Sequence, residues 1–238
     1  MQSVVDRPLR VLVACEFSGI VRRAFAALGH DVWSCDLLAS DDRSNRHITG
    51  DARTILHWGW DLLMVAHPPC TRLCLSGVRW LHEPPTKLST AHYTIREVAA
   101  YARMNREQRL AFMWDELDKG AELFSAFWNA DIDHGIPRIC IENPVMHGHA
   151  KQRIRNYAEL AQSVQPWQFG HGECKRTCFW LKNLPKLTPT NIVAGRAQRI
   201  HGLGSNVDRR HERSKFFPGI ADAMAAQWGG HALQQLAA

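Results

Sequence analysis

Residues 10–36 read RVLVACEFSGIVRRAFAALGHDVWSCD. The first six form a short continuous apolar run, the pattern of a strand buried on both faces. Ser18-Gly19 ends it. IVRRAFAAL then places Ile20, Val21, Ala24, Phe25 and Leu28 on one helical face, with Arg22 and Arg23 expected to point away from it. Gly29 suits a C-terminal cap, and HDVWSCD reads as a second strand ending at Asp36. Strand, turn, helix, strand is the signature of a parallel sheet.

The same rhythm recurs along the chain. Residues 60–67, WDLLMVAH, predict a third buried strand, and Leu117, Ala121, Phe124 and Trp128 carry helical spacing. Residues 136–142, IPRICIE, and 176–181, RTCFWL, predict two more strands, and Ile220, Ala223, Met224 and Trp228 mark a C-terminal amphipathic helix. The expectation is a doubly wound α/β fold with a mostly parallel sheet and ligands at the C-terminal ends of its strands. Glu16, Asp36, Cys70 and Glu142 all fall at or just beyond such ends. Between 78 and 119 the chain is first turn-rich, then charged and helical. It reads equally as a lid following Cys70 or as a rigid surface helix.

Composition narrows the classes. The chain of 238 residues is long enough for one full core. No apolar run reaches the ~18 residues of a membrane span. MQSVVDRPLR has no signal-peptide core, so a cytoplasmic protein is expected. Seven cysteines, several inside apolar runs, suit reduced thiols and not a disulfide framework. Net charge is +6, and the excess is local: 184–215 holds seven cations against two acids. Such a segment suits phosphates, or is a solvated loop.

Several residues have the right chemistry. CEFSG, with Gly19, forms a strand-to-helix turn that a nucleotide-like cofactor can approach. Asp36 can accept from ribose hydroxyls, and Asp51 in TGDART is a further acid, although each alone reads as a cap or turn residue. In AHPPC, Pro68 and Pro69 stiffen the loop that carries the Cys70 thiol. Glu142 in ICIENP is a carboxylate able to exchange a proton with a heterocycle. HPPCTRLC and HGECKRTC also have loose zinc spacing, but Cys178 falls where a strand would bury it, so no metal is expected.

In order, CEFSG, CDLL, GDART, DLLMVAHPPC, IENP and PGIADAMAAQW resemble the signature blocks of the cytosine-C5 DNA methyltransferase family. The chain is similar to its compact, often phage-encoded members. The resemblance implies a Rossmann-like methyltransferase fold, S-adenosylmethionine as cofactor and DNA as partner, with a second copy or a partner subunit helping to read the target. It implies that Glu16, Phe17, Ser18, Gly19 and Pro68 line the cofactor loop, that Asp36 holds the ribose and Asp51 the adenine, and that Gly219 helps close the pocket. Cys70 would be the nucleophile, Glu142 would hold the cytosine edge, and Arg176 would act beside them. Ser76, Asn143, Lys175, Arg196, Arg199, Arg209 and Arg210 would contact the substrate. On this reading residues 1–183 are the catalytic domain, 184–215 the nucleic-acid segment and 216–238 a returning helix.

The pattern departs from the family in three places. The first turn is EFSGI, Pro144 follows the EN pair, and PWQFGHGECKRTCFWL stands where a glutamine–arginine–arginine block is expected. No large recognition region is present before the last block. A nucleotide or RNA substrate, and an inactive DNA-binding homologue, are therefore the alternatives.

Overall fold

The computed structural model describes residues 7–90, 93–199 and 214–237. Seven strands form one mixed sheet: β1 (Arg10–Ala14), β2 (Asp31–Asp36), β3 (His47–Thr49), β4 (Leu62–Val65), β5 (Ile139–Glu142), β6 (Gln162–Val164) and β7 (Thr177–Lys182). Their order is β3-β2-β1-β4-β5-β7-β6. From β3 to β5 all neighbours are parallel, while β7 runs antiparallel to both β5 and β6. The protein is thus α/β with a mostly parallel sheet.

The opening stretch folds as its pattern predicts. β1 sits between β2 and β4, with Val13 opposite Ser34 on one side and Met64 on the other. Helix α1 (Ile20–Ala27) buries Val21, Ala24 and Phe25, whereas Leu28 stays exposed. One core joins Val11, Val13, Leu62, Met64, Cys140 and Phe179 of the sheet to Val21 and Phe25, and to Ile220, Met224 and Trp228 of the C-terminal helix. Each large apolar side chain buried in this way is worth ~1.5–3 kcal/mol. Helix α6 (Pro218–Met224) continues through a π turn, Ala225–Gly229, into α7 (Gly230–Ala237). The Trp228 indole N–H donates to the Pro185 carbonyl at 2.7 Å, which satisfies its one polar atom.

Two expectations are corrected, and one strand takes a direction that the sequence left open. Arg22 does not point to solvent. It is 6% exposed, its Nε donates to Ser34 Oγ at 3.2 Å, and its Nη2 pairs with Asp42 at 2.5 Å. A helical wheel cannot show a compensating acid twenty residues away. The strand predicted at 176–181 exists but runs against its neighbours, so the sheet ends in an antiparallel pair. The predicted strand at 60–67 is shorter, and only Leu62–Val65 pairs.

The chain divides into two compact units. The first comprises Met1–Pro68, Ala126–Asn143 and Ala158–Ala238, and contains the sheet. The second comprises Pro69–Ser125 and Pro144–Tyr157. It holds a 3-10 helix (Leu75–Leu81), α2 (Ile95–Ala102), α3 (Arg106–Trp128) as far as Ser125, and α5 (Gly148–Arg153). Between α3 and β5 lies α4 (Ala130–His134), in the first unit. The proposed lid residues 78–119 lie within the second unit, together with Cys70 and Ser76. Thr94 and Glu97 form a reciprocal capping box that starts α2. Among the described residues no helix is long and apolar enough to cross a membrane.

Candidate active site

In the sheet-bearing unit the strand order reverses between β1 and β4, where open parallel sheets leave a crevice beyond their carboxyl ends. The chain leaves β1 through Cys15, which has a positive φ of 56°. Glu16 follows, 1% exposed. Its Oε1 accepts the Val21 N–H at 2.7 Å and the Ser18 hydroxyl at 3.3 Å, and its Oε2 accepts the Arg22 N–H at 3.2 Å. Glu16 therefore caps α1 from the preceding loop. Burial raises its carboxyl to about 6, against the pull of those backbone N–H groups. Phe17 is buried, and its carbonyl accepts the Asp41 N–H at 2.9 Å.

Gly19 has φ +67°, and a Cβ there would lie 2.6 Å from Arg22 Nη2 and 2.7 Å from Asp42 Oδ2. Only glycine fits, because Arg22 and Arg23 both close on Asp42 beneath the turn. Burial opposes ionisation of Asp42, but bonds from Ser40 and Arg23 and the charge of Arg22 prevail and hold it at about 2.

Asp36 ends β2, and its Oδ1 accepts the Leu38 N–H at 2.9 Å. Burial raises its pKa, and it forms no ion pair among the described residues. Leu37 and Leu38 beside it are 75% and 57% exposed. Asp51 is differently placed. It caps the 3-10 helix Ala52–Trp58 through the Arg53 N–H and grips the Arg53 guanidinium at 2.6–3.1 Å. That partner holds its pKa below the ordinary carboxylate value.

At the ends of β4 and β5, His67 Nδ1 stands 3.6 Å from Glu142 Oε2. The His67 ring tilts against Phe216, with centroids 4.7 Å apart. Its Nε2 is buried without a hydrogen-bond partner among the described residues. Burial lowers the His67 pKa, with Glu142 pulling the other way. Pro68 is buried, and Asn143 is wholly buried with its N–H on the Cys178 carbonyl at 3.2 Å. Lys175 Nζ donates to the Lys215 carbonyl at 2.8 Å, and Lys215 reaches Asp41 at 3.5 Å. Arg176 is exposed. Nearby Cys178 lies buried in β7, and burial raises its thiol against the pull of Arg176. The Gly219 N–H donates to His171 Nε2 at 3.1 Å.

Glu16, Phe17, Ser18, Gly19, Asp36, Pro68, Glu142 and Asn143 thus all lie at or just beyond the carboxyl ends of the parallel strands β1, β2, β4 and β5. Arg196 and Arg199 lie on an outer segment. Arg196 stacks on Trp167 at 3.9 Å, and Arg199 pairs with Glu173 at 2.6 Å. Arg209 and Arg210 fall outside the described residues. Among the described residues no three His, Cys, Asp or Glu side chains converge on a metal position.

Cys70 belongs to the second unit and is half-buried. Its carbonyl accepts the N–H groups of Leu73 and Cys74, at 3.0 and 3.1 Å, closing one tight turn. Gly77 backs onto that turn, where a Cβ would sit 2.1 Å from the Thr71 carbonyl oxygen. Ser76 is exposed, with its hydroxyl 3.1 Å from the buried Cys74 sulfur. Cys74 also pairs with Met146, and the Leu75 N–H donates to the Val145 carbonyl at 3.1 Å. The loop after Cys70 is thereby zipped to the segment after Asn143.

Sequence reasoning passed over Phe216 and His147. Each acts through a partner remote in the chain, and no local pattern marks such a residue. No protein-family model matches the chain, and no curated protein matches it.

Proposed function

We propose that the protein is an S-adenosylmethionine-dependent methyltransferase acting on C5 of cytosine in DNA, built on the methyltransferase form of the α/β fold. The observation that carries the reading is the strand reversal between β1 and β4. The EFSG turn, Asp36, the start of HPPC and the EN pair lie at or just beyond the carboxyl ends of the parallel strands, which supports a nucleotide cofactor and a heterocycle as ligands.

The residues fit that cofactor. Asp36 offers a carboxylate without an ion pair among the described residues, and exposed Leu37 and Leu38 present apolar surface to an adenine. Asp51 fits less well, because Arg53 already holds it. When bound, S-adenosylmethionine supplies an electrophilic methyl group.

The rest of the chemistry belongs to the chain. The Cys70 thiolate adds to C6 of the flipped-out base, and the ring electrons move to make C5 nucleophilic. Glu142 holds the N3 edge and passes a proton to N3, neutralising the negative charge that the thiolate brings to the ring. Once C5 carries the methyl group, its proton passes to a water molecule. The returning electron pair restores the ring double bond and expels the Cys70 thiolate.

A nucleotide or RNA substrate is the second reading, and one observation favours its mononucleotide form. Both described arginines of the basic segment are already engaged, Arg196 on Trp167 and Arg199 on Glu173. Incubating DNA with tritium-labelled S-adenosylmethionine tests the first reading. Wild type transfers label, while Cys70→Ser and Glu142→Gln lose it. Label transfer by Cys70→Ser overturns the nucleophile, and no transfer by wild type to any DNA overturns the substrate. A salt titration separates a nucleic-acid substrate from a mononucleotide, since only polymer binding weakens steeply with salt.

A further inference from the structure

We infer that His147 is a positioning residue for Cys70, holding the backbone of the nucleophile's loop in register; the inference rests on the reading of Cys70 given above. His147 is 4% exposed and lies wholly within the second unit. Its ring joins two elements that are far apart in sequence. Nδ1 accepts the Ala150 N–H at 3.2 Å, starting α5. That bond fixes the tautomer: the ring hydrogen is on Nε2, which donates to the Arg72 carbonyl at 2.8 Å. The His147 backbone N–H donates to the next carbonyl, that of Leu73, at 3.1 Å. Two successive carbonyls, two and three residues beyond Cys70, are thus held by one residue.

The remaining contacts of the loop make this hold consequential. The turn that starts at Cys70 is closed by N–H groups from Leu73 and Cys74, the same short stretch that His147 grips from the other side. Arg72 is pinned twice, by its carbonyl on His147 and by its guanidinium on the Tyr93 hydroxyl at 3.0 Å. Without the Nε2 hydrogen the Arg72 carbonyl loses its side-chain donor, and one of the two holds of His147 on the turn beyond Cys70 is lost. A displacement of about 1 Å in a reacting group costs on the order of 100-fold in rate. His147 touches no reacting atom; it acts through the peptide bonds beside the thiol.

Two conservative variants separate positioning from mere stability. His147→Asn places an acceptor near Nδ1, keeping the α5 cap but losing the donor to Arg72. His147→Gln reaches the Nε2 position, keeping that donor but losing the cap. Positioning predicts that His147→Asn melts like wild type yet loses at least tenfold in kcat at unchanged KM for the donor. It predicts that His147→Gln, although less stable, keeps most of kcat. The opposite ranking, in which kcat follows melting temperature, overturns the inference.

The alkylation rate of Cys70 by iodoacetamide, followed by peptide mass mapping, gives a readout that needs no turnover. His147→Asn should change that rate at least threefold and His147→Gln much less. Equal rates in all three proteins overturn the clamp. If wild type transfers no methyl group while the alkylation rates differ as expected, the functional reading fails and the clamp stands.

Discussion

His67 Nδ1 lies 3.6 Å from Glu142 Oε2, at the ends of the neighbouring strands β4 and β5. Burial keeps the imidazole neutral below its ordinary range. The folded state therefore resists protonation more than the unfolded chain does, so stability rises with pH through the window just below the unfolded histidine value of ~6.5. The stability advantage of wild type over His67→Gln, measured by urea unfolding, should shrink from pH 7.5 to pH 5. A constant difference would show that His67 does not titrate with folding.

Glu16 gives the opposite slope. Its folded carboxyl lies at about 6, above the unfolded value of ~4.3, so the folded state holds its proton more tightly. Raising the pH between these values costs stability. The difference between wild type and Glu16→Gln should move against wild type over that interval. Glu16→Ala strips the acceptor from the Val21 and Arg22 N–H groups, and calorimetric melting should show a loss of roughly 1–3 kcal/mol.

Asp36 and Asp51 should separate in calorimetry with S-adenosylmethionine. Losing a charged hydrogen-bond acceptor costs about 1.5–3 kcal/mol. Asp36→Ala should therefore bind at least tenfold more weakly. Asp51→Asn should change affinity by less than about threefold, because the carboxylate is already committed to Arg53. Equal losses would mean that Arg53 releases Asp51 to the ligand.

Gly77→Ala should displace the Cys70 turn, since the new Cβ would stand 2.1 Å from the Thr71 carbonyl oxygen. Methyl transfer should fall at least tenfold. Gly148→Ala, where nothing lies within 4 Å of the added Cβ, is the matched control and should stay close to wild type. Equal activity in the two variants would mean the loop yields without consequence.

Much of the architecture was legible in the chain itself. The apolar run 10–14, the heptad-like face of Val21, Ala24 and Phe25, and the run ending at Asp36 each report a local period. Local periods are written in consecutive residues. So are the breaks after each strand, which is why Glu16, Asp36 and Glu142 read as strand-end residues from the sequence alone.

Tertiary structure alone decided the rest, because each remaining feature depends on a partner the local pattern does not contain. RTCFWL reads as a strand in either direction, and only pairing with β5 and β6 makes β7 antiparallel. Arg22 carries a charge that a helical wheel assigns to water, until Asp42 and Ser34 meet it inside. His147 and Arg72 are 75 residues apart, and their hydrogen bond exists because two segments pair in space. Apolar periodicity is a property of short windows and survives in the sequence. The pairing of buried polar groups is a property of the folded chain, where each must find the partner that water no longer provides.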